Sequence, residues 1–372
     1  MDFAYSDEQS MLTDSLRRMM TDNWSFEQRR RRFAEGKLDR QAWAHLVELG
    51  VTGLLVPEAY GGFGESTATM LAVHQELGYG LVSEPVITGA VMAVVMLAAS
   101  ENTEAKEKWL PAIAEGEAIV AVGWQEAGQR YDTQAVTTQA SERDGGFVLK
   151  GAKRNIWHGA ASNAVIVNAE LNGEQAVFIV PTDAAGVSID DFPTMDLSRT
   201  ANMTFADVAL PAQALLARGA AAQDMVALGM DYAMTALCAH AAGAMKRLIE
   251  ITTEYLKTRN QFGQPLMNFQ ALQFDVVDML IQQEMAVSHA YVCALSLTDD
   301  PADLRAKRVA MAKNEVAAGA QFVGEKAVQL HGGMGMTDEL EVGDFFKRLG
   351  FVEFQFGDSK YHQERIQKMG LN

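Results

Sequence analysis

The chain lacks the features that mark several large classes of protein. It has only 2 cysteines among its 372 residues, and Cys238 and Cys293 do not have the spacing of a metal site. Both stand in apolar helical stretches, so we expect buried, reduced thiols and, by default, a cytoplasmic location. The start, MDFAYSDEQS, is acidic without the apolar region of a signal peptide, and the apolar run 90–99 is too short to span a bilayer. We therefore expect a protein without a membrane segment.

Positive charge is scarce in this chain. Its formal net charge is −17, because 48 acidic residues outnumber 31 lysines and arginines. An excess of negative charge argues against a nucleic-acid partner and against binding to an anionic membrane surface. Any polyanionic ligand must therefore be held by a local cluster of basic residues.

Several short nucleotide-binding and catalytic motifs are also missing. The sequence contains no strict G-x-G-x-x-G, no G-x-x-x-x-G-K-[ST], no G-x-S-x-G and no H-E-x-x-H. The usual sequence evidence for a Rossmann dinucleotide site, a P-loop or a zinc protease is therefore absent.

The residues that are present predict a large folded protein of mixed class. With 48% apolar and 21% charged residues, the chain can bury a large core, and its length favours two or three subdomains. Helical periodicity in the first third gives way to short β runs after residue 118 and returns from about residue 223. We predict an α+β fold with an N-terminal helical domain (1–117), a middle β-barrel or sandwich (118–217) and a C-terminal four-helix bundle (218–372).

Six strands are predicted in the middle region from short apolar or alternating runs bounded by turn residues. They are 118–123, 135–141, 146–153, 164–169, 175–180 and 202–208.

Two helical stretches in the C-terminal third end in residues that could bind an anion: the first is followed by an arginine and the second by a glycine-rich turn. Arg259 follows a helical stretch, where a cation offsets the negative end of the helix dipole or grips a phosphate with its guanidinium group. The segment 331–335, HGGMG, follows another helical stretch, and it either caps that helix or lets backbone N–H groups cradle phosphate oxygens. The residues alone leave both interpretations open.

The segments 259–263 (RNQFG), 268–270 (NFQ) and 326–348 resemble the flavin-binding signatures of the acyl-CoA dehydrogenase family. The resemblance implies that one subunit grips the FAD of its neighbour through these segments. The residues that match are Arg259, Gln261, Phe262, Gln270, Gln329, Gly332 and Gly333.

The resemblance covers nearly the whole chain. Residues 54–64 contain the family's Pro-Glu-x-x-Gly-Gly-x-Gly element, and Asp196 and Arg199 match its D-x-x-R before a strand. It implies oxidation of an acyl-CoA at the α and β carbons, with a carboxylate base, hydride transfer to the flavin and an electron-transferring flavoprotein as acceptor.

The base is where the sequence departs from the family. Most members carry a tyrosine-glutamate-glycine-threonine segment, whereas this chain reads Gln355-Phe356-Gly357-Asp358, so that Phe356 occupies the position of the base. Asp358 is the predicted alternative base, and a helix N-cap or a surface salt bridge accounts for it equally well. The other titratable candidates are Glu353 and His240. Some relatives carry the base on the helix before the flavin arginine, but this chain has Ala233 at that offset, and Asp231, two residues earlier, faces another side of the helix.

The segments expected beside the flavin ring are altered too. The stretch 124–132 reads WQEAGQRYD where the family has Thr-Glu-Pro-x-Ala-Gly-Ser-Asp, and 153–158 reads KRNIWH where it has Lys-x-Trp-Ile-Thr-Asn. Trp157 either covers the flavin or is a core tryptophan.

The segments expected beside the chain's own flavin ring are altered, whereas the segments expected to contact a neighbour's FAD match the family. This contrast favours an assembly of two different subunits. The chain is similar to the smaller subunit of family members that act on steroid side chains or rings and on cyclic or dicarboxylic acyl-CoAs, and an α2β2 assembly is expected. Two alternatives stay open: a homo-oligomeric dehydrogenase or oxidase with a displaced base, and a catalytically silent scaffold subunit.

Overall fold

The N-terminal region of the computed structural model, which describes residues 5–370, is helical. Its first two helices begin at serines that form capping boxes: Ser6 accepts a hydrogen bond from the Gln9 backbone N–H while the Gln9 side chain accepts one from Ser6, and Ser25 and Gln28 repeat the arrangement. The helices of this region are α1 (Asp7–Asn23), α2 (Phe26–Glu35), α3 (Arg40–Glu48), α4 (Thr67–Tyr79), a π-helical segment (Val86–Ala93), α5 (Val94–Ala99) and α6 (Thr103–Ala114).

The middle region is a single eight-stranded sheet. Its strands are β1 (Val120–Gly123), β2 (Gln139–Arg143), β3 (Gly146–Trp157), β4 (Ala164–Leu171), β5 (Glu174–Pro181), β6 (Val187–Pro193), β7 (Arg199–Leu210) and β8 (Leu215–Arg218). Their order is β6-β7-β3-β2-β4-β5-β8, and β1 pairs in parallel with β4. Strands β4 and β5 are buried along almost their whole length, which explains their continuous apolar sequences.

Each of the six predicted strands has a counterpart in this sheet, and two strands were missed. Strand β6 lies at the edge of the sheet and reads VSIDDFP, so its charged residues and proline hide the apolar pattern. Strand β8 has only 4 residues, which is too few for a periodicity to show.

The C-terminal region, as far as residue 370, consists of three long and two short helices. They are α7 (Ala220–Thr258), α8 (Gln270–Asp299), α9 (Ala302–His331), α10 (Val342–Phe351) and α11 (Ser359–Met369), and a small hairpin, β9 (Asn260–Gln261) with β10 (Gln264–Pro265), joins α7 to α8. The predicted α+β fold with helical, β and helical regions is confirmed, and the C-terminal region has five helices instead of the predicted four.

Helix α7 is the central element of the core. Its buried side chains pack with apolar side chains of the N-terminal helices, of the sheet and of α8 to α10. It is long and apolar enough to cross a membrane, but 83% of its most apolar window is buried inside the protein. Packing in the core therefore accounts for its composition.

One buried arginine connects the three regions. The guanidinium group of Arg348, on α10, lies 2.9 Å from Asp196 Oδ2 in the middle region and donates to the carbonyl of Val82, also at 2.9 Å, in the N-terminal region. It contacts His240 Nε2 of α7 at 3.2 Å. Arg348 and Asp196 are only 6% and 1% exposed. Because water does not solvate these buried groups, each charge is stabilised by the other.

Replacing Arg348 with methionine should destabilise the protein strongly. The change leaves Asp196 as a buried, unpaired charge, for which we expect a loss of about 3–5 kcal/mol in the free energy of unfolding. Urea unfolding followed by circular dichroism measures it. The matched control is Arg218→Met, because Arg218 pairs with Glu174 where both side chains are more than half exposed and its loss should cost less than about 1 kcal/mol. Equal effects of the two changes would contradict this role for Arg348.

Three histidines around this junction should make stability depend on pH. Burial lowers the pKa of His74 to about 3, burial and then Arg348 lower that of His158 to about 3, and burial, Arg348 and His74 lower that of His240 well below 6.5. The unfolded chain takes up these protons below pH 6.5 and the folded chain does not, so stability is complete above pH 6.5 and falls as pH falls toward 3.

We expect His240→Gln to reduce this pH dependence. Glutamine can still accept from Arg348 but does not titrate, so the fall in unfolding free energy below pH 6.5 should become shallower by up to about 1.4 kcal/mol per pH unit. Urea unfolding between pH 7 and pH 5 compares the two proteins. Parallel pH profiles would show that His240 carries no such linkage.

Candidate active site

The fold brings together the two segments that resemble flavin-binding signatures. Tyr255, near the end of α7, stacks on His331 at the end of α9 with ring centroids 4.3 Å apart. Its hydroxyl group also lies 3.4 Å from the His331 carbonyl, to which it donates. Arg259 follows Tyr255 by one helical turn and Gly332 follows His331, so segments more than 70 residues apart lie side by side.

Phe262 lies at the tip of the hairpin between α7 and α8. The register pairs Gln261 with Gln264, so Phe262 and Gly263 form a two-residue turn, with φ of +55° and +81°. A left-handed conformation is unfavourable for a phenylalanine, and the side chain is 89% exposed. An aromatic ring exposed on a strained backbone in this way is available to a group from outside the chain.

The remaining residues of the two segments are also exposed. Arg259, Gln261, Gln270, Gln329, Gly332 and Gly333 all lie at the surface. In the part of the chain that the structure describes, the Arg259 guanidinium group has no ion pair, and a Cβ added at Gly332 or Gly333 would meet nothing within 4 Å. A free guanidinium group beside open glycine backbone fits the phosphates of FAD.

Trp157 lies in an aromatic cluster instead of at an open cavity. Its ring is stacked on Phe351 of α10 at 5.8 Å and lies 5.9 Å from the ring of Phe356. Two cavities of about 30 Å³ each flank the cluster, which is room for water but far below the roughly 300–1,000 Å³ of ligand pockets. Gln355 lines both, and its Oε1 has no partner among the described residues.

Asp358 is engaged at both carboxylate oxygens. Oδ1 accepts a hydrogen bond of 2.8 Å from the Tyr361 backbone N–H and caps α11, while Oδ2 pairs with Arg130 of the middle region. Phe356, at the position where the family resemblance expects the base, is buried with φ of +57°. The structure therefore gives Asp358 the two structural roles, and its role as a base stays a prediction.

The other titratable candidates are engaged as well. Glu353 accepts from the backbone N–H and the hydroxyl group of Ser359 at 2.8 and 2.7 Å. Asp231 pairs with Arg305 at 2.9 Å, and His240 accepts from Arg348. None of these groups is arranged as a free base beside the aromatic cluster.

The altered segment 124–132 contributes a buried ion pair. Glu126 Oε1 lies 2.6 Å from Lys153 Nζ, which also donates to Asn168 Oδ1 at 2.7 Å. Burial raises the pKa of Glu126, but Lys153 and the hydrogen bonds from two threonines outweigh it and lower the pKa to about 2. Burial lowers the pKa of Lys153 to about 8. Both groups thus anchor the loop to the sheet.

A larger cleft lies on the other side of Phe356. It has a volume of about 630 Å³ between the loop 129–134, the start of α7 and one face of α11; we call it the α11 groove. Its basic side chains are Arg130, Lys360, Arg365 and Lys368.

Comparison with known proteins identifies the family. Models of the acyl-CoA dehydrogenase N-terminal, middle and C-terminal domains match residues 6–117, 121–208 and 224–371. The chain belongs to the acyl-CoA dehydrogenase family. Members are flavin-dependent oxidoreductases that act on CH–CH bonds and bind FAD, so the predicted enzyme class and cofactor are confirmed. The exact domain boundaries stay predictions.

Relatives within the acyl-CoA dehydrogenase family include a short-chain specific acyl-CoA dehydrogenase of Megasphaera elsdenii, 30% identical over 83% of this chain and 84% of that protein. Among solved structures, the ChsE4-ChsE5 complex of Mycobacterium tuberculosis is similar with a TM-score of 0.90 and 25% identity over 99% of this chain and 98% of the other. A variant of the Tcur3481-Tcur3483 steroid acyl-CoA dehydrogenase gives a TM-score of 0.89 and 25% identity over 98% and 97% of the two chains.

Sequence reasoning missed two sets of residues in this acyl-CoA dehydrogenase. Arg348 stands inside a segment that was matched to the family, but its buried partners are distant in sequence. The cations of α11 carry a visible signal, because Lys360, Arg365 and Lys368 recur on a short helix in an acidic chain. Asp196 and Arg199, which match one family element, pair with Arg348 and Asp191 instead of with each other.

A pair of variants separates the structural and catalytic roles of Asp358. Both variants lose the ion pair with the largely exposed Arg130, which is worth less than about 1 kcal/mol. Asp358→Ala should lower the free energy of unfolding by about 1 kcal/mol more than Asp358→Asn, because only the alanine variant also loses the cap of α11. Thermal unfolding measures both. Loss of dehydrogenase activity in Asp358→Asn with flavin retained would instead identify a displaced base.

Proposed function

We propose that this chain is one subunit of a heteromeric, FAD-dependent acyl-CoA dehydrogenase that acts on a bulky acyl-CoA. The observation that carries the proposal is a contrast within the chain. The segments expected to hold a neighbour's FAD are exposed to solvent, whereas the region expected to hold the chain's own flavin ring is filled by Trp157, Phe351 and Phe356.

In this proposal the chain binds the pyrophosphate end of the partner's FAD. Arg259 offers its guanidinium fork, and Gly332 and Gly333 let the backbone approach the phosphates closely. Phe262 packs against the cofactor from the hairpin tip. The FAD supplies the hydride acceptor when bound, and the partner supplies the carboxylate base that Phe356 replaces here.

An exposed apolar stripe on α8 supports a subunit interface. Five side chains at spacings of three, four or seven residues are 43–59% exposed, which is unusual for a surface helix. They are Phe274, Val277, Ile281, Met285 and Val292. The hairpin that carries Phe262 leads directly into α8, so a partner on this face would place its cofactor beside that hairpin.

The similar structures support the substrate class and the heteromeric assembly. One is a complex of two proteins and another is described as a steroid acyl-CoA dehydrogenase. We therefore propose a steroid, cyclic or dicarboxylic acyl-CoA as substrate, an α2β2 assembly with a second acyl-CoA dehydrogenase-like chain, an electron-transferring flavoprotein as acceptor, and a cytoplasmic location.

The flavin content of the purified protein tests the proposal. We expect a flavin-to-chain ratio near zero for the chain alone, because its own ring site is filled, and a ratio near one flavin per chain pair after co-expression with its partner. In the complex, Arg259→Gln should lower flavin content and affinity by about tenfold or more through the lost charge-assisted contacts. Visible absorbance measures both.

The control for the flavin experiment is Arg308→Gln, which removes a surface cation on α9 and should leave flavin content unchanged. A ratio near one for the chain alone would contradict the proposal and favour a self-sufficient homo-oligomer. A complex that keeps full flavin content after Arg259→Gln would instead favour a silent scaffold subunit.

A further inference from the structure

We propose that a cleft between the N-terminal and middle regions binds an amino acid in its zwitterionic form. Glu84 accepts the ammonium group of the ligand, and Lys37 and Arg40 hold its carboxylate group. The site goes beyond the dehydrogenase function and does not rest on it, because none of the residues that match the flavin-binding signatures lines this cleft.

The cleft has the size of a small-molecule site. Its volume is about 560 Å³, within the range of roughly 300–1,000 Å³ that such sites occupy. We call it the α2 cleft. Its walls include the end of α2 with residues 36–40, the pair Ser83-Glu84, and residues of the segments 158–161 and 197–199 in the middle region.

Two of the four cations in the α2 cleft are already neutralised. Arg32 pairs with Asp39 at 2.8 Å, and Arg199 pairs with Asp191. Asp39 also accepts hydrogen bonds from backbone N–H groups at the start of α3. These pairs fix the two walls and leave little charge for a ligand.

The charges that remain in the cleft are of both signs. Lys37 and Arg40 are exposed, and within the described residues neither forms an ion pair. The carboxylates of Glu35 and Glu84 also line the cleft without an ion pair in the part of the chain that the structure describes. Because these opposite charges do not pair with one another, a ligand that carries both signs can satisfy both, whereas a simple anion or cation satisfies only one.

Glu84 is the carboxylate that is best placed for an ammonium group. Its Oε2 accepts hydrogen bonds from Trp24 Nε1 at 3.2 Å and from the Ser83 backbone N–H at 3.0 Å, whereas its Oε1 has no hydrogen-bond partner among the described residues. Burial raises the pKa of this carboxyl group, and Arg32 and the hydrogen bonds offset only part of that shift. A cation that binds beside Glu84 supplies the countercharge that the wall lacks.

Apolar side chains line other parts of the α2 cleft. Phe33 and Leu38 stand on its N-terminal side, and Leu197 stands on the side of the middle region. All three are partly exposed, so a ligand that covers them removes apolar surface from water. We therefore expect an amino acid with an apolar side chain, such as leucine.

Isothermal titration of the full-length chain with L-leucine tests the site. We expect saturable binding, and a loss of about tenfold or more in affinity for Glu84→Gln and for the double variant Lys37→Gln/Arg40→Gln. Glutamine at position 84 can still accept from Trp24 and Ser83, so this variant should fold. Absence of saturable binding up to tens of millimolar leucine, or unchanged affinity in either variant, would overturn the proposal.

The matched controls are Glu117→Gln and Lys150→Gln. Each removes an exposed charge that lies outside the α2 cleft, and each variant should bind leucine within about twofold of wild type. A loss of about tenfold in a control would show that the overall charge of the protein governs binding, and it would count against the cleft.

Two analogues of leucine separate a zwitterion site from a site for a single charge. Isocaproate lacks the amino group and isoamylamine lacks the carboxylate, so each should bind wild type about tenfold or more weakly than leucine does. Glu84→Gln should reduce the affinity for isoamylamine but not for isocaproate. An analogue that binds as tightly as leucine would overturn the proposal in favour of a simple anion or cation site. None of these titrations involves flavin, so their outcome is independent of the flavin content of the complex.

Discussion

The Arg348 guanidinium group is the contact on which the arrangement of the three regions depends. It joins α10 to a carbonyl of the N-terminal region, to Asp196 before β7 and to His240 on α7. These partners are buried. Without Arg348 their polar atoms would have neither water nor a hydrogen-bond partner, which costs several kcal/mol of stability. The position of α10 in turn sets the segment 353–358, and with it the place of Phe356 against Trp157.

The cofactor chemistry of the chain is divided between an outward and an inward side. The outward side carries the residues that match the family's flavin-binding signatures, exposed to solvent in the described chain. On the inward side, aromatic rings and a buried ion pair occupy the region where the family resemblance places a flavin ring and a base. Under the proposed function, a chain with only the outward side takes part in dehydrogenation across an interface, and the exposed stripe of α8 and the filled interior both support that proposal.

The architecture was largely predictable because it depends on local signals. Helical periodicity and β runs placed the three regions in the right order, and the two capping boxes at Ser6 and Ser25 are readable in the sequence itself. Strand β6 was not predicted, because an edge strand does not need alternating apolar residues. The candidate site was less predictable: the exposure of Phe262 follows from its hairpin, whereas the aromatic neighbours of Trp157 come from α10 and the segment after it.

The sequence by itself determined the family, the cofactor and the loss of a carboxylate at position 356, because each is a property of residue types at fixed spacing. Only the tertiary structure decided that Tyr255 and His331 bring the two flavin segments together and that both oxygens of Asp358 are already engaged. It also decided that scattered cations and tyrosines line one groove in an acidic protein. These outcomes depend on contacts between residues far apart in the chain, and local periodicity carries no information about which distant side chains meet.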